Sequence, residues 1–239
     1  PSQYERFVAE PPPAEVEPLL SQPFTYLGCG AQSYAFVSAD GKYVIKFFKI
    51  QHMRLAPWLP NVLPHVAMKR KEKEALYKAT MESARIAMAD LRDETGLLYV
   101  HTGRSPTWQR SIQLIDKIGV AHTLSLEAVD FVLQKRAAPF YETLTSWIED
   151  GKEEAAHRAL SELRALLTKR CQCGIFDKDP DIATNFGFVS NRPIQIDIGR
   201  FTRDIDVRHP ARGIYEVSRI SQPLHDWLEA HLRSKKGVE

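Results

Sequence analysis

The sequence has few cysteines, little net charge and no long hydrophobic run. Its three cysteines are too few for a disulfide framework, Cys171 and Cys173 lack the spacing of a metal site, and a reducing compartment fits best. No run of about 18 apolar residues occurs, so no membrane span is expected. The formal charge of +2 does not by itself indicate a nucleic-acid or membrane partner. No internal repeat is present.

The remaining composition is that of an ordinary globular protein. The chain has 239 residues, 44% hydrophobic and 26% charged, enough for one large domain or two smaller lobes with a substantial core. Residues 1–20 contain Pro11-Pro12-Pro13 and several acids, so an extended leader is expected there. The sequence begins at Pro1 without Met, which is compatible with an upstream signal or anchor that was removed.

One segment near the C-terminal end is rich in oxygen-bearing side chains. Oxygen ligands of this kind suit Mg²⁺, which proteins usually hold with one or two carboxylates plus substrate phosphates. The alternative is an acidic loop that is only solvated by water. The segment spans residues 174–200, and its four carboxylates and one asparagine are Asp177, Asp179, Asp181, Asp197 and Asn185.

A short hairpin is predicted inside this segment. Residues 186–189 and 194–196 have the composition of strands, and residues 190–193 form the turn between them. Asn185 precedes the first strand and Asp197 follows the second, so strand pairing brings the two residues to the same end of the hairpin.

A glycine-containing loop is predicted between two strands near the N-terminus. The strands are residues 24–27 and 34–38, and Gly28, Gly30 and Ser33 lie between them. Glycines between strands allow backbone N–H groups to approach an anion closely, which suits a loop that covers phosphates. The alternative is an ordinary turn.

A lysine lies in the middle of the next predicted strand. Asp40 and Gly41 predict a tight turn into a strand over residues 42–50 that contains Lys46. A lysine among apolar neighbours in a strand can project into a cleft and neutralise phosphate charge. The alternative is a surface lysine whose stem lies along the sheet.

A long helix is predicted over residues 67–92, after an irregular proline-containing segment at 51–66. Glu82 borders its apolar face and Glu72 lies near its start. Either can pair with Lys46, with Glu82 preferred; the alternative is that both are solvated. The other predicted elements are strands at 97–101, 112–118, 121–126 and 129–133, helices at 141–150 and 153–169, an irregular stretch at 203–210 and mixed helix at 214–232.

In this order the motifs resemble the protein-kinase-like fold family, over residues 24–201. The stretch Gly28-Cys29-Gly30-Ala31-Gln32-Ser33-Tyr34-Ala35 resembles the loop G-x-G-x-x-G-x-V, with Ser33 for the third glycine and Ala35 for Val. The other matches are Val44-Ile45-Lys46 with the V-A-I-K strand, Asn185 with the catalytic-loop asparagine, and Asp197-Ile198-Gly199 with D-F-G, with Ile for Phe.

The resemblance implies an α+β, two-lobed kinase-like fold. Residues 21–136 would form an antiparallel-sheet N-lobe with the long helix, and residues 137–239 a shortened helical C-lobe with the catalytic and metal loops. No Ala-Pro-Glu motif follows Asp197, so the helical part that docks protein substrates is expected to be mostly missing. This is typical of a minimal, divergent bacterial or effector kinase, acting in the cytoplasm or, after secretion, in a host cytosol.

The resemblance also implies an activity: ATP- and Mg²⁺-dependent transfer of the γ-phosphoryl group to a hydroxyl of a protein or small molecule. No nucleic-acid partner is expected. The implied roles are phosphate binding by Gly28, Gly30, Ser33 and Lys46, pairing of Lys46 by Glu82, adenine contacts near Gln134 and Arg136, and Mg²⁺ binding by Asn185 and Asp197.

The catalytic base departs from the family pattern. H-R-D-x-x-x-x-N would place its Asp five residues before Asn185, at Pro180, and no His-Arg pair is present. Asp179 is one residue too early, Asp181 one too late, and Asp177 precedes a longer loop. We assign the base to Asp179, because one inserted residue is the smallest change, and keep Asp177 as the alternative.

A second hypothesis is a catalytically impaired pseudokinase that binds a nucleotide or a protein. The altered glycine loop, the missing His-Arg pair and the short C-terminal part favour it. The joint presence of Lys46, Asn185 and Asp197 favours an enzyme, because a fold kept only for binding does not need the whole phosphate and metal set.

Overall fold

The chain forms two units, one built on a large sheet and the other mainly on helices. The structure is a computed structural model and describes residues 11–30, 32–49, 64–105, 107–127 and 129–236. Unit 1 comprises Pro1–Arg92 and Leu97–Arg136, and unit 2 comprises Asp93–Gly96 and Ala137–Glu239. The predicted α+β fold class is confirmed.

Unit 1 contains a seven-stranded sheet with the order β4-β7-β3-β2-β1-β5-β6. Neighbouring strands are antiparallel except for the parallel pair β1 and β5. The strands lie close to their predicted positions. They are β1 Phe24–Cys29, β2 Ser33–Ser38, β3 Tyr43–Phe48, β4 Leu97–His101, β5 Ser111–Ile115, β6 Ala121–Ser125 and β7 Phe131–Lys135.

The turn between β2 and β3 has the predicted position. Gly41 has a φ of 71°, which glycine adopts without steric cost. The Asp40 carboxylate accepts hydrogen bonds from the Ser38 hydroxyl at 2.7 Å and from the Lys42 amide at 3.1 Å. The bond from Ser38 is the main cause of a lowered pKa at Asp40. These bonds fix the register that places Lys46 on β3.

A long helix, α1, spans Pro64–Asp90, and a short helix, α2, spans Arg92–Thr95. The helix α1 begins earlier than predicted, since residues 64–66 are helical rather than irregular; a proline is well tolerated in a first turn, where its missing N–H has no intrahelical partner. Residues 50–63, including most of the predicted irregular segment and the predicted end of β3, lie outside the described residues. Among the side chains of α1 that the structure describes, the buried ones are Thr80, Met81, Ser83, Ala84, Ile86 and Ala87.

The expected leader is wrong for residues 11–20. A 3-10 helix spans Pro18–Ser21, and the side chains of Val16 and Leu20 are each 1% exposed in the core of unit 1. The Trp108 indole N–H donates to the Glu17 carboxylate at 2.5 Å. Val16 lies in the turn before this helix, and the Leu20 amide donates to the Val16 carbonyl at 3.4 Å, so both apolar side chains enter the same core. Residues 1–10 lie outside the described residues.

Unit 2 is built mainly on helices packed around a small antiparallel sheet. Stacked rings of Phe140 and Phe188, with centroids 4.8 Å apart, lie in its core. The helices are α3 Phe140–Glu149, α4 Glu153–Gln172, α5 Ile182–Asn185 and α6 Pro210–Lys236. The strands are β8 Ala138–Pro139, β9 Ile175–Asp177, β10 Phe186–Val189, β11 Arg192–Gln195 and β12 Phe201–Arg203; β8, β10 and β11 form one sheet, and β9 pairs with β12.

The predicted hairpin is the pair β10 and β11. Its turn is shorter than predicted, because Arg192 and Pro193 already pair with β10. The turn residues Ser190 and Asn191 have φ angles of 49° and 65°, as expected for a two-residue type I′ turn. Pro193 is tolerated because β11 is an edge strand of its sheet.

The C-terminal part departs from the prediction in two respects. The helix α6 is continuous and contains Pro223, where mixed helix was expected. The pair β9 and β12 and a 3-10 helix at Ile205–Arg208 were not predicted; three- and four-residue elements have too little periodicity to be found from sequence. Among the helices of the described residues, none is long and apolar enough to cross a membrane.

Candidate functional site

The acidic loop of unit 2 begins where β9 ends. Asp177 is the last residue of β9 and lies opposite Phe201 on β12. The amide of Lys178 donates to the carbonyl of Arg200 at 3.3 Å. Because of this pairing, the start of the loop lies beside the segment that follows Asp197.

Asp181 caps the short helix α5. Its carboxylate accepts hydrogen bonds from the Ala183 amide at 3.0 Å and from the Thr184 hydroxyl at 2.8 Å. A side-chain oxygen at this position satisfies an N–H group that has no partner within the helix. The presence of an aspartate at position 181 is therefore explained by its role as the helix cap.

Asn185 is buried and is held through both its backbone and its side chain. Its backbone carbonyl accepts from the amides of Ile196 at 2.7 Å and Asp197 at 3.3 Å. Its side-chain amide donates to the carbonyl of Asp179 at 2.5 Å, and its Oδ1 lies 2.9 Å from the Thr184 hydroxyl, whose single proton is shared with the Asp181 carboxylate. The structure thus brings Asn185 and Asp197 together at one end of the hairpin. The backbone of Asp179 lies at the same place, because its carbonyl bonds the Asn185 side chain.

Asp197 is exposed, and one of its two carboxylate oxygens accepts a hydrogen bond. Oδ1 accepts from the Gly199 amide at 2.9 Å, which closes a turn over Asp197-Ile198-Gly199. Within the described ranges, Oδ2 of Asp197 has no hydrogen-bond partner. This carboxylate is therefore accessible to a ligand from solvent.

The donor set at this end of the hairpin suits Mg²⁺ bound together with phosphates. Oxygens of one carboxylate and one amide are hard ligands, and Mg²⁺ commonly completes its octahedral shell with water and substrate phosphates. No group of three or more His, Cys, Asp and Glu side chains able to hold a metal occurs in the part of the chain that the structure describes. A protein-only metal cage is thus not what these residues form.

Asp177 differs from its neighbours because it is buried, with 1% of its surface exposed. Oδ2 accepts from the Arg170 guanidinium at 3.3 Å and from the Gln195 amide at 2.5 Å. Oδ1 accepts from the backbone amide of Asp179 at 3.0 Å. Burial raises the pKa of Asp177, although Arg170 acts in the opposite direction. Both oxygens are thus occupied by protein donors.

Asp179 is held by its backbone, while its side chain is exposed. Its N–H donates to Asp177 at 3.0 Å, and its carbonyl accepts from Asn185 at 2.5 Å. A loop residue with both backbone groups fixed presents its side chain in a limited range of positions.

The glycine loop of unit 1 is shorter than predicted. Gly28 lies within β1 beside a register shift, and Ser33 already begins β2. The amide of Gly30 donates to the carbonyl of Ser33 at 3.0 Å, so the connection covers residues 30–32, of which Ala31 lies outside the described residues. No atom of the described residues would lie within 4 Å of a Cβ atom built on Gly28 or Gly30, so this part of the chain leaves the space beside both glycines open.

Lys46 lies on a central strand, opposite Ala35 on β2 and Val132 on β7. Its neighbours Ile45 and Phe47 belong to the apolar core of unit 1. Side chains alternate between the faces of a strand, so Lys46 projects from the face opposite this core. The residue is half-buried.

The other predicted residues of unit 1 have defined surroundings. Glu82 is exposed and lies 4.0 Å from Arg85 on the same helix; Glu72 is also exposed. Gln134 is buried in β7 and lies between Val44 and Leu97 of the neighbouring strands. Just beyond β7, the amide of Arg136 donates to the carbonyl of Lys42 at 2.8 Å. The side chain of Arg136 is exposed.

Sequence analysis missed a second lysine, Lys49, which contacts the glycine loop. Its ammonium group donates to the Gly30 carbonyl at 2.5 Å and to Cys29 Sγ at 2.9 Å, and it lies 4.7 Å from the centre of the Tyr34 ring. The contact with Cys29 is the main cause of a raised pKa at Lys49. Only hairpin pairing brings Lys49 to this loop, so local sequence could not reveal the contact.

No known family model and no curated protein matches this sequence. Solved structures that are similar to the chain include WbdD, a bifunctional kinase–methyltransferase, at 14% identity and a TM-score of 0.38, covering 85% of this chain and 39% of WbdD. A rhoptry antigen kinase domain of Toxoplasma gondii has 12% identity and a TM-score of 0.40, with 75% of this chain and 49% of that chain covered. The Legionella pneumophila effector kinase LegK7 has 12% identity and a TM-score of 0.34, with 74% of this chain and 32% of that chain covered.

The chain therefore spans well under two thirds of the length of these proteins. At such low identity the likeness concerns the fold alone. The chain itself has the predicted order of elements: a glycine-containing hairpin, a strand with Lys46, a long helix, further strands, two helices, and a hairpin between Asn185 and Asp197.

Proposed function

We propose that this protein is an ATP- and Mg²⁺-dependent phosphotransferase that moves the γ-phosphoryl group of ATP to a hydroxyl acceptor. The observation that supports this most directly is the hydrogen bond from the Asp197 amide to the Asn185 carbonyl. The side chain of the same asparagine donates to the carbonyl of Asp179. Phosphoryl transfer depends on positioning and charge neutralisation more than on covalent chemistry. A fixed set of oxygen donors beside an exposed carboxylate is suited to that task.

Asn185 and Asp197 would hold the metal. The Asn185 amide nitrogen is oriented by its bond to Asp179, so Oδ1, which also lies 2.9 Å from the Thr184 hydroxyl, is the side-chain atom that would bind the metal. Asp197 would contribute its exposed carboxylate. A Mg²⁺ ion held there would supply positive charge that neutralises the phosphates of the nucleotide.

Unit 1 would supply the phosphate- and adenine-binding groups. Lys46 provides positive charge for the α- and β-phosphates, and the open space beside Gly28 and Gly30 allows a phosphate to approach the backbone. Ser33 follows this loop, and Lys49 holds the loop through the Gly30 carbonyl. The adenine edge would bond backbone groups at the end of β7, near Gln134 and Arg136, and Glu82 would pair with Lys46.

Asp179 is the acidic residue best suited to orient or deprotonate the acceptor hydroxyl. Its side chain is exposed and its backbone is fixed on both sides. Asp177 is buried with both oxygens bonded, and Asp181 caps α5, so each has another role in the fold. The acceptor is a hydroxyl of a protein or a small molecule.

A second candidate function is a pseudokinase that binds a nucleotide or a protein without transfer. The ion pair between Glu82 and Arg85 favours it, because this glutamate then has a partner on its own helix. In either case we propose action in a reducing compartment, the bacterial cytoplasm or, for a secreted effector, a host cytosol.

The experiment that tests the proposed function is incubation with Mg²⁺ and γ-labelled ATP, alone and with cell lysate. We expect label transfer by the wild type and none by Asp197→Ala. Asp206→Ala, which removes an exposed carboxylate elsewhere in unit 2, is the matched control and should transfer label normally. Label transfer by Asp197→Ala at the wild-type rate would overturn the assignment of the metal pair. Nucleotide binding without transfer would favour the pseudokinase.

A further inference from the structure

A fully buried arginine lies beside the acidic loop of unit 2. Arg170 is in the last turn of α4 and is 0% exposed. Its guanidinium donates to the Asp177 carboxylate at 3.3 Å and to the Gln195 side-chain oxygen at 2.8 Å, and it lies 3.8 Å from Glu216 of α6. A buried charge is costly unless it is paired, so this arrangement needs an explanation.

The cluster around Arg170 is balanced in charge. Asp177 and Glu216 are each 1% exposed, and Glu216 also accepts two hydrogen bonds from Arg219, at 2.7 and 3.0 Å. Two carboxylates thus face two guanidinium groups. Nε and one terminal nitrogen of Arg170 have no hydrogen-bond partner among the described residues. Stability alone does not favour such a cluster, because apolar residues of similar volume are often as stable.

The cluster is bonded directly to the candidate site. Asp177 accepts from the Asp179 amide at 3.0 Å, so the carboxylate that Arg170 holds also fixes the loop residue proposed to face the acceptor. Gln195, the second residue bonded to Arg170, also donates to Asp177 and immediately precedes Ile196, whose amide donates to Asn185. One buried guanidinium is therefore connected to both the loop and the hairpin.

We propose that Arg170 is a positioning residue for the phosphotransferase site, an inference that rests on the proposed function. Through Asp177 and Gln195 it fixes the backbone of Asp179 and the base of the β10–β11 hairpin, and Glu216 connects this cluster to α6. Arg170 is fully buried and therefore acts only through the residues it holds.

This role predicts a specific pattern of effects. Loss of a group that orients others should lower turnover by about 10- to 100-fold. The affinity for MgATP should stay within a few-fold, because Asn185, Asp197 and Lys46 are intact. The amide of Asp179 should exchange with solvent faster, since its acceptor is no longer held.

The main test variant is Arg170→Met/Asp177→Asn, which removes both buried charges together and keeps an oxygen acceptor at position 177. It is compared with Asp177→Asn alone, because Asp177 is also the alternative base. Glu216 retains Arg219 as its partner. Arg170→Lys is the second variant: it keeps the charge but cannot bond Asp177, Gln195 and Glu216 at once. Arg164→Met, an exposed arginine on the same helix, is the matched control.

Four quantities are measured on each variant of the 239-residue chain: the melting temperature, amide exchange at Asp179, turnover, and the affinity for MgATP. We expect folded test variants with faster exchange at Asp179 and lower turnover, and a control that behaves as wild type. If the double variant does not fold, Arg170→Lys decides. Wild-type exchange and turnover in a folded test variant, or an equal loss in Arg164→Met, would overturn the proposal.

The exchange measurement separates this inference from the proposed function. If the wild type transfers no phosphoryl group, the proposed function fails. Faster exchange at Asp179 in the folded variants then still supports positioning of the loop by Arg170, and unchanged exchange overturns it.

Discussion

The amide of Asp197 donates a hydrogen bond to the carbonyl of Asn185 at 3.3 Å, beside a shorter bond from Ile196 at 2.7 Å. The two residues flank a hairpin and would be far apart in an unpaired chain. Strand pairing therefore creates the donor pair, and the two-residue turn at Ser190 and Asn191 sets the register.

The first prediction concerns Lys46. Lys46→Met should abolish or strongly weaken nucleotide binding while the fold remains largely intact, because methionine keeps the apolar stem and removes the charge. Binding is measured by titration calorimetry and folding by circular dichroism. Lys42→Met, an exposed lysine beside the same strand, is the control and should bind as wild type. Unchanged affinity in folded Lys46→Met protein would exclude this phosphate-binding role.

The second prediction separates the acidic residues of the loop. Asp179→Asn should lower turnover by about 10²-fold or more, the scale of a lost general base or orienting group, with MgATP affinity within a few-fold. Asp181→Asn should be milder, because asparagine also caps helices well. Steady-state kinetics of both variants provide the comparison. An active Asp179→Asn together with an inactive Asp177→Asn would move the base to Asp177.

These loop residues also mark the limit of prediction from sequence. Asp177, Asp179 and Asp181 alternate along the chain, and spacing alone did not separate them. In the structure the first is buried against Arg170, the second is exposed, and the third caps α5. Arg170 follows Lys169 in a charged helix end, where a solvated side chain is the usual expectation. Its burial depends on Asp177 and Glu216, partners that only the tertiary fold supplies.

Local chemistry did predict much of the fold. The Asp40-Gly41 turn, the apolar strands and the hairpin after Asn185 each have a short-range pattern that determines them. Residues 11–20 were misassigned because three prolines and several acids outweighed Val16 and Leu20. The glycine loop was predicted too long, since β1 continues through Gly28 to Cys29.

The third prediction is a pH dependence in unit 1. His101 is fully buried, stacked on Phe131 at 5.2 Å, and burial lowers its pKa below the ordinary value of 6.5. The unfolded chain therefore takes up this proton at a higher pH than the folded chain. The contribution to stability is present above the unfolded pKa and is lost as the pH falls through the folded pKa.

Melting temperatures of the wild type and His101→Phe, measured from about pH 7.5 to about pH 5, test this dependence. This range includes the ordinary pKa of histidine. The melting temperature of the wild type should fall more steeply with decreasing pH than that of the variant. Asp177, whose pKa is raised, acts in the opposite direction at lower pH, so the difference between the two proteins is the relevant quantity. His157→Gln, an exposed histidine, is the control and should retain the wild-type slope. Equal slopes for the wild type and His101→Phe would contradict the prediction.

The central claim is that Asn185 and Asp197 bind a metal together with a nucleotide. Its most direct test is the change in melting temperature on adding ATP, with Mg²⁺ or Mn²⁺ and with excess chelator. The account predicts a rise for the wild type only when the metal is present, and none for Asp197→Ala under either condition. A rise of equal size in excess chelator, or a wild-type response from Asp197→Ala, would contradict it.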